Sequence, residues 1–547
     1  MATISRYDQS SGRSSLTRHR PRALLATACA AILSASLVAC GGGSTGTTAS
    51  GSAGGGDAAS GQRSRTLIVG TTGALTTIDP IHAESYAGNP IDGVLYERLV
   101  KYDENNKIVP ALATEFTVAP DAKSIAITLA SGVVFHDGSP LTADDVAFTL
   151  DRTKKIGQGV AGLVSTYAGT EVTDATHLTI KLSRADSSFL GALSKVWIVN
   201  KKLVQANAGT NDGQSWLQSH DAGSGPFRVA DQSSPKETVV TAFADYRVKD
   251  ADRPETIRFK QIDVSATLRD SVRKGDIDIA ANMSAADAES LKSDPKLAVV
   301  TVPQLVITVV WMNVDNGPTA NPQVRKALQL AYDYQGGLDK IRNGYGKIAD
   351  GIAPDGFSCR PKLPQAATNL DQAKSLLQSA GVKDLKLTLR YQPLSTEQTR
   401  EATLLQSNLK SIGVDLTLQP ITFPEWLNSL TNKATIPQMM LAGDSAQYPD
   451  LGTWLSTQYL STAIGTTNRT GYSNPEVDQL IIKGLSSADP TAACQAYQQA
   501  QEKIAQDAPG IFMYSTFAPL VYRKGLTGVT PGYTIRPIDF ADVRLAK

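Results

Sequence analysis

One short segment of the sequence, residues 443–447, holds side chains in an order that could support nucleophilic catalysis. The order Gly-Asp-Ser-Ala-Gln nearly matches the Gly-x-Ser-x-Gly turn that exposes a catalytic serine in many hydrolases, but Gln447 replaces the last glycine. In that class of hydrolase the catalytic histidine follows the serine, whereas the five histidines here, at positions 19, 82, 136, 177 and 220, all precede Ser445. A secreted serine hydrolase using Ser445 is therefore an alternative hypothesis, and the sequence predicts no enzyme.

Motifs for metal and nucleotide binding are not found in the sequence. No two histidines stand at ligand spacing and no Cys-x-x-Cys occurs, so a zinc site is not predicted. The glycine-rich residues 343–357 lack the Gly-x-x-x-x-Gly-Lys-Ser/Thr order of a phosphate-binding loop. The sequence therefore predicts no cofactor and no metal.

Aromatic side chains in the second half of the sequence indicate a binding cleft. Aromatic rings together with a few polar groups are typical of the lining of small-molecule sites. Packing in a hydrophobic core is an equally good interpretation of any single one of them. The aromatic candidates are Trp311, Tyr391, Phe423, Trp426, Tyr448 and Trp454.

The length and the charge of the chain restrict the class of protein. At 547 residues it is too long for one simple domain, so two or three compact domains are expected. Charged residues make up 19% of the chain and are nearly balanced, with 53 basic and 52 acidic side chains. No run of Lys and Arg matches a nucleic-acid backbone, so no nucleic-acid partner is predicted.

The first 65 residues resemble a bacterial lipoprotein leader followed by a tether. A basic start precedes an uncharged apolar segment, residues 23–38, in the pattern of a secretory signal peptide. Residues 37–40, Leu-Val-Ala-Cys, resemble a lipobox, which implies removal of residues 1–39 and lipidation of Cys40. Ordinary secretion with an incidental Cys40 is the alternative. Residues 40–65, rich in Gly, Ser and Thr, are expected to form a flexible linker.

Two cysteines remain beyond the leader and the residue expected to carry lipid. Cys359 and Cys494 would stand in an oxidising compartment, where a disulfide is permitted. The sequence supplies no distance between them, so the paired and the free states both stay open.

Residues 309–334 organise the rest of the chain, because an apolar strand there gives way to a packed helix. Asn321 is a suitable N-cap, and Pro322 fits the first helical position, where its missing N–H costs nothing. A strand, a polar linker and a helix in this order are expected where a chain passes from one lobe to another. A buried helical stripe is predicted at Val324, Leu328 and Ala331.

The periodicity of the remaining chain predicts an α/β architecture. Residues 125–129 and 385–389 alternate apolar and polar side chains, as half-buried strands do. Residues 369–381 and 402–412 instead repeat apolar side chains every three or four positions, which predicts amphipathic helices. Strands that alternate with helices favour an α/β lobe.

Several longer segments, in the same order, resemble the family 5 (peptide/nickel/oligopeptide) extracellular solute-binding proteins of ABC importers. Trp311 and Asn313, followed by a Pro-containing linker and Val-Arg-Lys-Ala-Leu, form one such segment. Residues 110–152, 223–229 and 272–284 form others, and the likeness covers roughly residues 66–520. Arg98 departs from a glycine that is common in the family.

The resemblance implies a two-lobed α/β periplasmic-binding-protein fold, class II-like and of cluster C, with an extra small α+β domain inserted in the first lobe. Lobe I would comprise residues 66–100, 197–312 and 516–547. The inserted domain would span residues 101–196, and lobe II residues 313–515. Such lobes close on a ligand by a hinge.

The resemblance also directs attention to Gln447. Peptide-binding members hold the ligand's ammonium with the Asp of a Gly-Trp-x-x-Asp segment, and Gln447 occupies that position here. Asp444 or Asp450 would have to supply the negative charge; otherwise the ligand is not a zwitterionic dipeptide. The position that pairs with a carboxylate in dipeptide binders falls near Gln392, with Arg390 and Arg400 close by but unmatched. The expected ligand-binding residues are Trp311, Asn313, Tyr391, Trp426, Asp444, Ser445, Gln447, Tyr448 and Trp454.

The function implied by the resemblance is capture of a peptide or a similar small organic solute in the cleft and its delivery to a membrane permease. The expected partners are that ligand, two permease subunits with their ATPases, and the membrane through the lipid anchor, the protein itself being monomeric. The expected location is the periplasmic side of the inner membrane or the outer face of the cytoplasmic membrane. A ligand sensor or chaperone on the same fold is a further alternative.

Overall fold

The structure, a computed structural model, describes residues 65–73, 77–82, 89–393, 395–430, 432–529 and 538–545. The signal peptide predicted over residues 1–39 and the lipid attachment predicted at Cys40 lie outside these ranges. So does the linker predicted over residues 40–65, except for its last residue. Among the described residues, no helix combines the length and the apolar character needed to cross a membrane.

Strands and helices alternate along much of the described chain, as an α/β architecture requires. The strands are β1 (Thr66–Thr71), β2 (Glu97–Arg98), β3 (Val100–Tyr102), β4 (Ile108–Pro110), β5 (Ala113–Val118), β6 (Ser124–Leu129), β7 (Tyr167–Val172), β8 (His177–Leu182), β9 (Trp197–Ile198), β10 (Phe227–Ser234), β11 (Glu237–Ala242), β12 (Thr256–Gln261), β13 (Ile279–Ala281), β14 (Leu297–Met312), β15 (Gly346–Ile348), β16 (Lys386–Tyr391), β17 (Asp415–Pro420), β18 (Met439–Ser445) and β19 (Gly510–Arg523). The helices are α1 (Asn89–Leu95), α2 (Ala143–Ile156), α3 (Phe189–Ala192), α4 (Lys201–Ala206), α5 (Ser265–Lys274), α6 (Ala285–Glu289), α7 (Pro322–Ala331), α8 (Tyr334–Lys340), α9 (Leu370–Ser379), α10 (Thr396–Ser411), α11 (Phe423–Leu430), α12 (Leu451–Tyr459), α13 (Pro475–Leu485) and α14 (Pro490–Asp507).

The largest sheet among the described residues has eleven strands. Its order is β10-β11-β12-β1-β13-β19-β14-β18-β16-β17, with β15 attached to β19. The long central strands β14 and β19 pair antiparallel. Near one end, Val302 and Leu520 of these strands enter a core shared with β1 and β12. Near the other end, Val310 and Met513 enter a core shared with α7, α9 and α10, so the two strands connect separately packed halves.

A separate four-stranded sheet, in the order β5-β6-β8-β7, packs with α2 around its own core. We term residues 101–196 the small-sheet body. The alternation predicted for residues 125–129 is confirmed, since Ile125, Ile127 and Leu129 of β6 are buried. This face closes against α2, as a strand with one apolar face requires.

The predicted passage from strand to helix within residues 309–334 is confirmed. Strand β14 ends at Met312 and α7 begins at Pro322. The Asn321 side chain accepts a hydrogen bond from the Gln323 N–H at 2.9 Å and so caps the helix. The predicted stripe is buried in the core at Val324, Leu328 and Ala331.

The half of the molecule that follows this passage has helices on both faces of the sheet. Helices α7, α9 and α10 cover one face, and α12, α13 and α14 cover the other. The predicted helices at residues 369–381 and 402–412 correspond to α9 and α10, and the predicted strand at 385–389 corresponds to β16. Strand β18 lies between the two helical layers, so its two faces meet different surroundings.

A disulfide joins Cys359 to Cys494, with their Cα atoms 5.1 Å apart. It connects the loop after β15 to the first turns of α14. Because the bond closes a long loop, it restricts the unfolded chain and contributes about 2–4 kcal/mol to stability. The sequence left the paired and the free states open, and the fold brings the two sulfurs together.

The small-sheet body touches the second half of the chain near the end of α13 and just after β18. The Ser187 N–H donates to the Leu485 carbonyl at 2.8 Å. The rings of Tyr102 and Tyr448 stack with their centroids 6.3 Å apart. A Cβ added at Gly191 would lie 2.5 Å from the Tyr102 hydroxyl, so a larger residue there would have to displace the tyrosine side chain.

Candidate functional site

Strand β18 is paired along its length on one side only. Strand β14 pairs with it from Met439 to Ser445, whereas β16 pairs with it only as far as Leu441. Among the described residues, positions 442–445 therefore have no strand neighbour on that second side, which we term the open edge. An unpaired edge presents backbone N–H and C=O groups to another extended chain.

The direction of the backbone groups along the open edge follows from the register of β18 on β14. The Ala446 N–H donates to the Leu305 carbonyl at 2.9 Å. Hydrogen bonds to one neighbour alternate along an antiparallel strand, so Asp444 also bonds towards β14. The N–H and C=O groups of Gly443 and Ser445 then point to the open edge. An extended peptide can bond to them as an added strand.

A cavity of about 280 Å³ lies beside the open edge, and we term it the edge pocket. Its walls come from β14, β18 and β19, from the turn after α8 and from the first turns of α10. Eight of the twelve lining residues have polar side chains, which can bond to charged or hydrogen-bonding groups of a ligand. The polar lining residues are Gln304, Thr308, Arg342, Ser395, Glu397, Gln398, Glu401 and Thr516.

Glu401 is a buried acidic group of the edge pocket, with an exposed fraction of 2%. Its Oε2 accepts from the Tyr332 hydroxyl, which lies 2.8 Å from the Tyr514 hydroxyl. Its Oε1 is buried and has no hydrogen-bond partner within the described ranges. Burial raises the pKa of Glu401, while the Tyr332 hydrogen bond and the charges of Arg342 and Arg400 oppose the rise. The fold thus holds a carboxyl group with one unsatisfied oxygen at this pocket.

Arg342 supplies a positive charge to the edge pocket. Its Nε donates to the Tyr345 carbonyl at 3.2 Å. Burial lowers the pKa of Arg342, and the nearby Glu401 and Glu397 oppose this shift, yet no ion pair joins Arg342 to a described residue. Its two terminal nitrogens make no hydrogen bond to the described residues, and their forked geometry suits a carboxylate.

Asp444 lies on β18 between Gly443 and Ser445. Its side chain points to the face of the sheet opposite the edge pocket and forms an ion pair with Arg469. Arg469 also donates to the Gln458 side chain at 3.0 Å and lies 5.3 Å from the centre of the Trp426 ring. The side chain of Asp444 is 4% exposed and that of Arg469 is 15% exposed, so the pair is largely shielded from solvent. The carboxylate that the sequence offered for an ammonium therefore already has a cationic partner.

The side chain of Phe423, on the same helix as Trp426, lies outside the described residues.

Three sequence candidates lie at or just beyond the end of β18. Ser445 is exposed at the end of the open edge. Gln447 has a buried Oε1 without a hydrogen-bond partner in the described part of the chain, which leaves an acceptor for a ligand N–H. Tyr448 is buried, with its hydroxyl 2.8 Å from that of Thr453, and belongs to the contact with Tyr102.

Asp450, the other carboxylate offered by the sequence, caps a helix. Its side chain accepts from the Thr453 N–H at 2.7 Å at the start of α12. Burial raises the pKa of Asp450 to about 6, and the negative charge of Asp186 in the small-sheet body adds to the rise. Asp450 therefore lies where the small-sheet body approaches the start of α12.

The remaining candidates lie in core or backbone contacts. Trp311 and Trp454 are each 2% exposed and pack under α12, α13 and α14. Tyr391 is buried in the core on the opposite face of the sheet. Asn313 is 1% exposed, and its side chain donates to the Ile436 carbonyl at 3.1 Å. These four side chains pack in the cores and backbone contacts around β14, β16 and β18. Direct contact of any of them with a ligand stays a prediction.

The structure does not favour the hydrolase alternative. Ser445 has no hydrogen bond to a histidine in the part of the chain that the structure describes, and a triad needs one. Nor do these residues include a group of three or more His, Cys, Asp or Glu side chains that could hold a metal ion. Three histidines bond elsewhere, in the pairs His136–Asp221, His177–Asp174 and His220–Trp216.

Arg342 and Glu401 are site candidates that the sequence analysis did not identify. Glu401 had a local signal, because it stands one turn before Leu405 on a helix with a predicted buried face. Arg342 had none, because it lies in a polar turn after α8 and only the fold brings it to β18. Arg390 and Arg400, the cations closest in sequence to the expected carboxylate position, do not line the edge pocket.

Comparison with known proteins places these observations in a family. The sequence profile of bacterial extracellular solute-binding proteins, family 5 Middle, matches residues 107–466. The probable D,D-dipeptide-binding periplasmic protein DdpA of Escherichia coli (strain K12) is 26% identical over 481 residues, which cover 84% of this chain and 90% of that protein. The oligopeptide-binding protein AppA of Bacillus subtilis (strain 168) is 26% identical over 527 residues, which cover 91% and 94%.

A solved structure shows the same fold. The ABC transporter-associated periplasmic binding protein DppA from Helicobacter pylori, in complex with the peptide STSA, superposes with a TM-score of 0.76. The match is 22% identical and covers 89% of this chain and 99% of that one. The two-lobed α/β periplasmic-binding-protein fold predicted from the sequence is therefore confirmed. Because the family profile extends over well over half of its length, this chain is a member of the family 5 bacterial extracellular solute-binding proteins.

Proposed function

We propose that this protein is the substrate-binding lipoprotein of an ABC importer and that it receives a peptide or a similar small organic solute along the open edge of β18. The open edge carries the proposal, because Gly443 and Ser445 present backbone groups there without a strand partner among the described residues. The relatives named for dipeptides and oligopeptides, and the solved complex with a peptide, support it. An extended peptide fits a strand edge because its backbone groups repeat at the same spacing.

The open edge belongs, in this proposal, to a cleft between two lobes. Lobe I comprises residues 66–100, 197–312 and 516–547, with residues 101–196 inserted, and lobe II comprises residues 313–515. The long strands β14 and β19 support these boundaries, since each contributes side chains to the cores of both halves. A hinge in such shared strands lets the lobes close on a ligand while each core stays packed.

Three groups near the end of β18 contact the ligand directly in this proposal. The backbone groups of Gly443 and Ser445 pair with the ligand backbone, and Gln447 Oε1 accepts from a ligand N–H. Gln447 occupies the position of the Asp in the Gly-Trp-x-x-Asp segment of peptide-binding family members. It can accept a hydrogen bond there but carries no charge. The edge pocket receives one end of the ligand, and its mixed charges support this assignment.

The loaded protein then delivers its ligand to two permease subunits that cytoplasmic ATPases drive. Acylation of Cys40 holds it at the membrane, and the lipobox-like residues 37–40 support this part of the proposal. More than one acyl chain is needed for stable anchoring, which a lipoprotein cysteine with an acylated amine supplies. Replacement of Cys40 by serine should move the protein from the membrane to the soluble fraction, as immunoblots of cell fractions would show.

Backbone pairing can be tested on the wild-type protein with synthetic peptides. A peptide that binds is first selected from a mixed pool by native mass spectrometry, and each of its amides is then N-methylated in turn. Isothermal titration calorimetry should show losses of tenfold or more at alternate amides and small effects between them, because only every second N–H faces β18. Equal tolerance of methylation at all amides, or no binding from the pool, would contradict the proposal.

A further inference from the structure

The small-sheet body touches the second half of the chain through a few polar and aromatic residues, which we term the bridging contact. The Ser187 N–H donates to the Leu485 carbonyl at 2.8 Å, and the Ser187 hydroxyl donates to the Gly484 carbonyl at 3.4 Å. The stacked rings of Tyr102 and Tyr448 also belong to it. The two sides have separate apolar cores, so the contact can open while both cores stay packed.

A path of hydroxyl groups crosses the bridging contact and has a carboxylate at each end. In the small-sheet body, the Ser188 hydroxyl donates to Asp186 Oδ1 at 2.6 Å. On the other side, the Tyr448 hydroxyl lies 2.8 Å from that of Thr453, whose N–H donates to Asp450 Oδ1 at 2.7 Å. A hydrogen bond between the side chains of Ser188 and Tyr448 joins the two parts of the path. Asp186 and Asp450 therefore stand at opposite ends of one hydrogen-bonded path.

The two carboxylates meet at the bridging contact without a cation. No described Lys, Arg or His forms an ion pair with Asp186 or Asp450. Asp186 is 8% exposed, and its negative charge adds to the burial that raises the pKa of Asp450. The titratable groups that face Asp450 from the surrounding elements are the hydroxyls of Tyr102 on β3, Tyr448 after β18 and Tyr497 on α14. Burial raises the pKa of all three, so they are neutral at pH 7 and do not offset the negative charges.

Opening of the bridging contact changes the protonation of Asp450. Within the contact its pKa is raised to about 6, whereas an aspartate in water has a pKa of about 4. Opening moves Asp450 away from Asp186 and exposes it to water, so its pKa falls towards the ordinary value. A group with a higher pKa in one of two states favours that state at low pH. The formed contact is therefore favoured below about pH 6 and loses this advantage as pH rises through about 6.

We propose that the small-sheet body closes on the start of α12 with uptake of one proton by the pair Asp186 and Asp450, and that this coupling strengthens ligand capture in an acidic medium. This inference rests on the proposed function, because it names the regulation of the same cleft. In that function residues 101–196 belong to lobe I and α12 to lobe II, so closing of the lobes forms the bridging contact. Ligand binding favours the closed form, and protonation of the contact favours it too. The affinity for a ligand that does not itself titrate should therefore rise by up to about tenfold from pH 7 to pH 5.

Hydrogen exchange tests the coupling without a ligand. Asp450→Asn keeps an acceptor for the Thr453 N–H and removes the charge, so the bridging contact should open less often at pH 7. Fragments that contain Ser187 should then exchange about threefold or more slowly than in the wild type, as mass spectrometry measures. Asp333→Asn is the matched control, because Asp333 caps α8 by accepting from the Gly336 N–H at 2.9 Å, outside the contact. This control should leave the exchange at Ser187 unchanged.

Calorimetry tests the same coupling through ligand affinity. The probe is a peptide selected by native mass spectrometry from a pool without Asp, Glu, His or Cys, so that its side chains do not titrate. The wild type should bind this peptide about three- to tenfold more tightly at pH 5 than at pH 7. Asp450→Asn should lose most of this difference, and Asp333→Asn should keep it. At pH 6, titrations in two buffers of different ionisation enthalpy should show that the wild type takes up about half a proton more than Asp450→Asn.

The outcomes separate this inference from the proposed function. If Asp450→Asn and the wild type exchange equally at Ser187, or if the wild type binds the peptide equally at pH 5 and pH 7, the proton coupling is wrong and the importer proposal stands. If no peptide of the pool binds at either pH, the proposed function is overturned, and the exchange comparison still decides whether the contact takes up a proton. Asp186→Asn removes the other charge of the pair and should raise the affinity for the peptide at pH 7, so the test does not depend on the folding of one variant.

Discussion

Strand β18 has a buried carboxyl group on each side, and the fold treats the two in opposite ways. On one side Asp444, 4% exposed, forms an ion pair with Arg469. On the other, Glu401 is 2% exposed and keeps Oε1 without a partner among the described residues, although Arg342 lies near. Equal burial therefore does not imply an equal role. A carboxylate held by a cation maintains the fold, whereas a buried carboxyl oxygen without a partner carries a cost that a ligand can remove.

The largest loss of stability is expected where the ion pair between Asp444 and Arg469 is broken. Arg469→Met should lower the free energy of unfolding by about 3–5 kcal/mol, because Asp444 would stay buried without its cation. Urea denaturation measures this loss. Arg342→Met is the matched control on the other side of β18 and should cost far less, since no ion pair is lost there. Equal losses in the two variants would remove the distinction between the two sides.

A smaller loss of stability is expected where Glu401 loses its hydrogen bond from Tyr332. Tyr332→Phe removes the hydroxyl that donates to Glu401 Oε2 and should lower the free energy of unfolding by about 1–3 kcal/mol. The matched control is Tyr334→Phe, whose hydroxyl donates to the Gln329 carbonyl and does not touch Glu401. Ligand affinity should fall in the first variant and stay in the second. An affinity that both variants leave unchanged would separate Glu401 from ligand binding.

Removing the charge of Glu401 itself should change stability little, and in the opposite direction. Because the pKa of Glu401 is raised on folding, its contribution favours the folded state at low pH and is lost as pH rises through the raised value. At pH 7, Glu401→Gln should therefore be as stable as the wild type or up to about 1 kcal/mol more stable. Urea denaturation from pH 5 to 7 should show a flatter dependence. A clear destabilisation at pH 7 would mean that Glu401 acts as Asp444 does.

The smallest effect concerns a third carboxyl group, Asp450, which has a hydrogen-bond partner but no ion pair with a described residue. Its pKa is raised to about 6, so its contribution favours the folded state below that pH and is lost as pH rises through about 6. Asp450→Asn keeps the helix cap and removes the charge, and it should cut the fall in melting temperature between pH 5 and 7 by about 1–2 °C. Calorimetric melting curves would show an unchanged slope if Asp450 were solvated.

The strands and helices that the sequence did predict were predictable because their signals are local. The alternation at β6, the cap at Asn321 and the stripe on α7 each depend on residues within one or two turns of one another. Such patterns follow from side-chain directions in strands and helices, which are the same in every fold. The family resemblance then supplied the two-lobed arrangement, which the comparison with a solved structure confirms.

The candidate site was less predictable. The segment around Gln447 was identified from the sequence, and Gln447 Oε1 has no hydrogen-bond partner among the described residues, so its contact with a ligand stays a prediction. The aromatic pattern was ambiguous, because Trp311 and Trp454 show the same spacing whether they line a cleft or fill a core. Both are buried among apolar side chains in the fold. Arg342 could not be found at all, because nothing near it in sequence connects it to β18.

The sequence by itself determined the passage from strand to helix within residues 309–334, several further strands and helices, the family and the segment at the end of β18. The tertiary structure alone decided which charged groups are paired, which cysteines are joined and which strand edge is open. The physical reason is that periodicity records local geometry, whereas the partner of a charge depends on distances between remote residues. Asp444 meets Arg469 across 25 positions, and Cys359 meets Cys494 across 135. Folding, which brings such residues together, pairs Asp444 with a cation and leaves Glu401 Oε1 without a partner among the described residues.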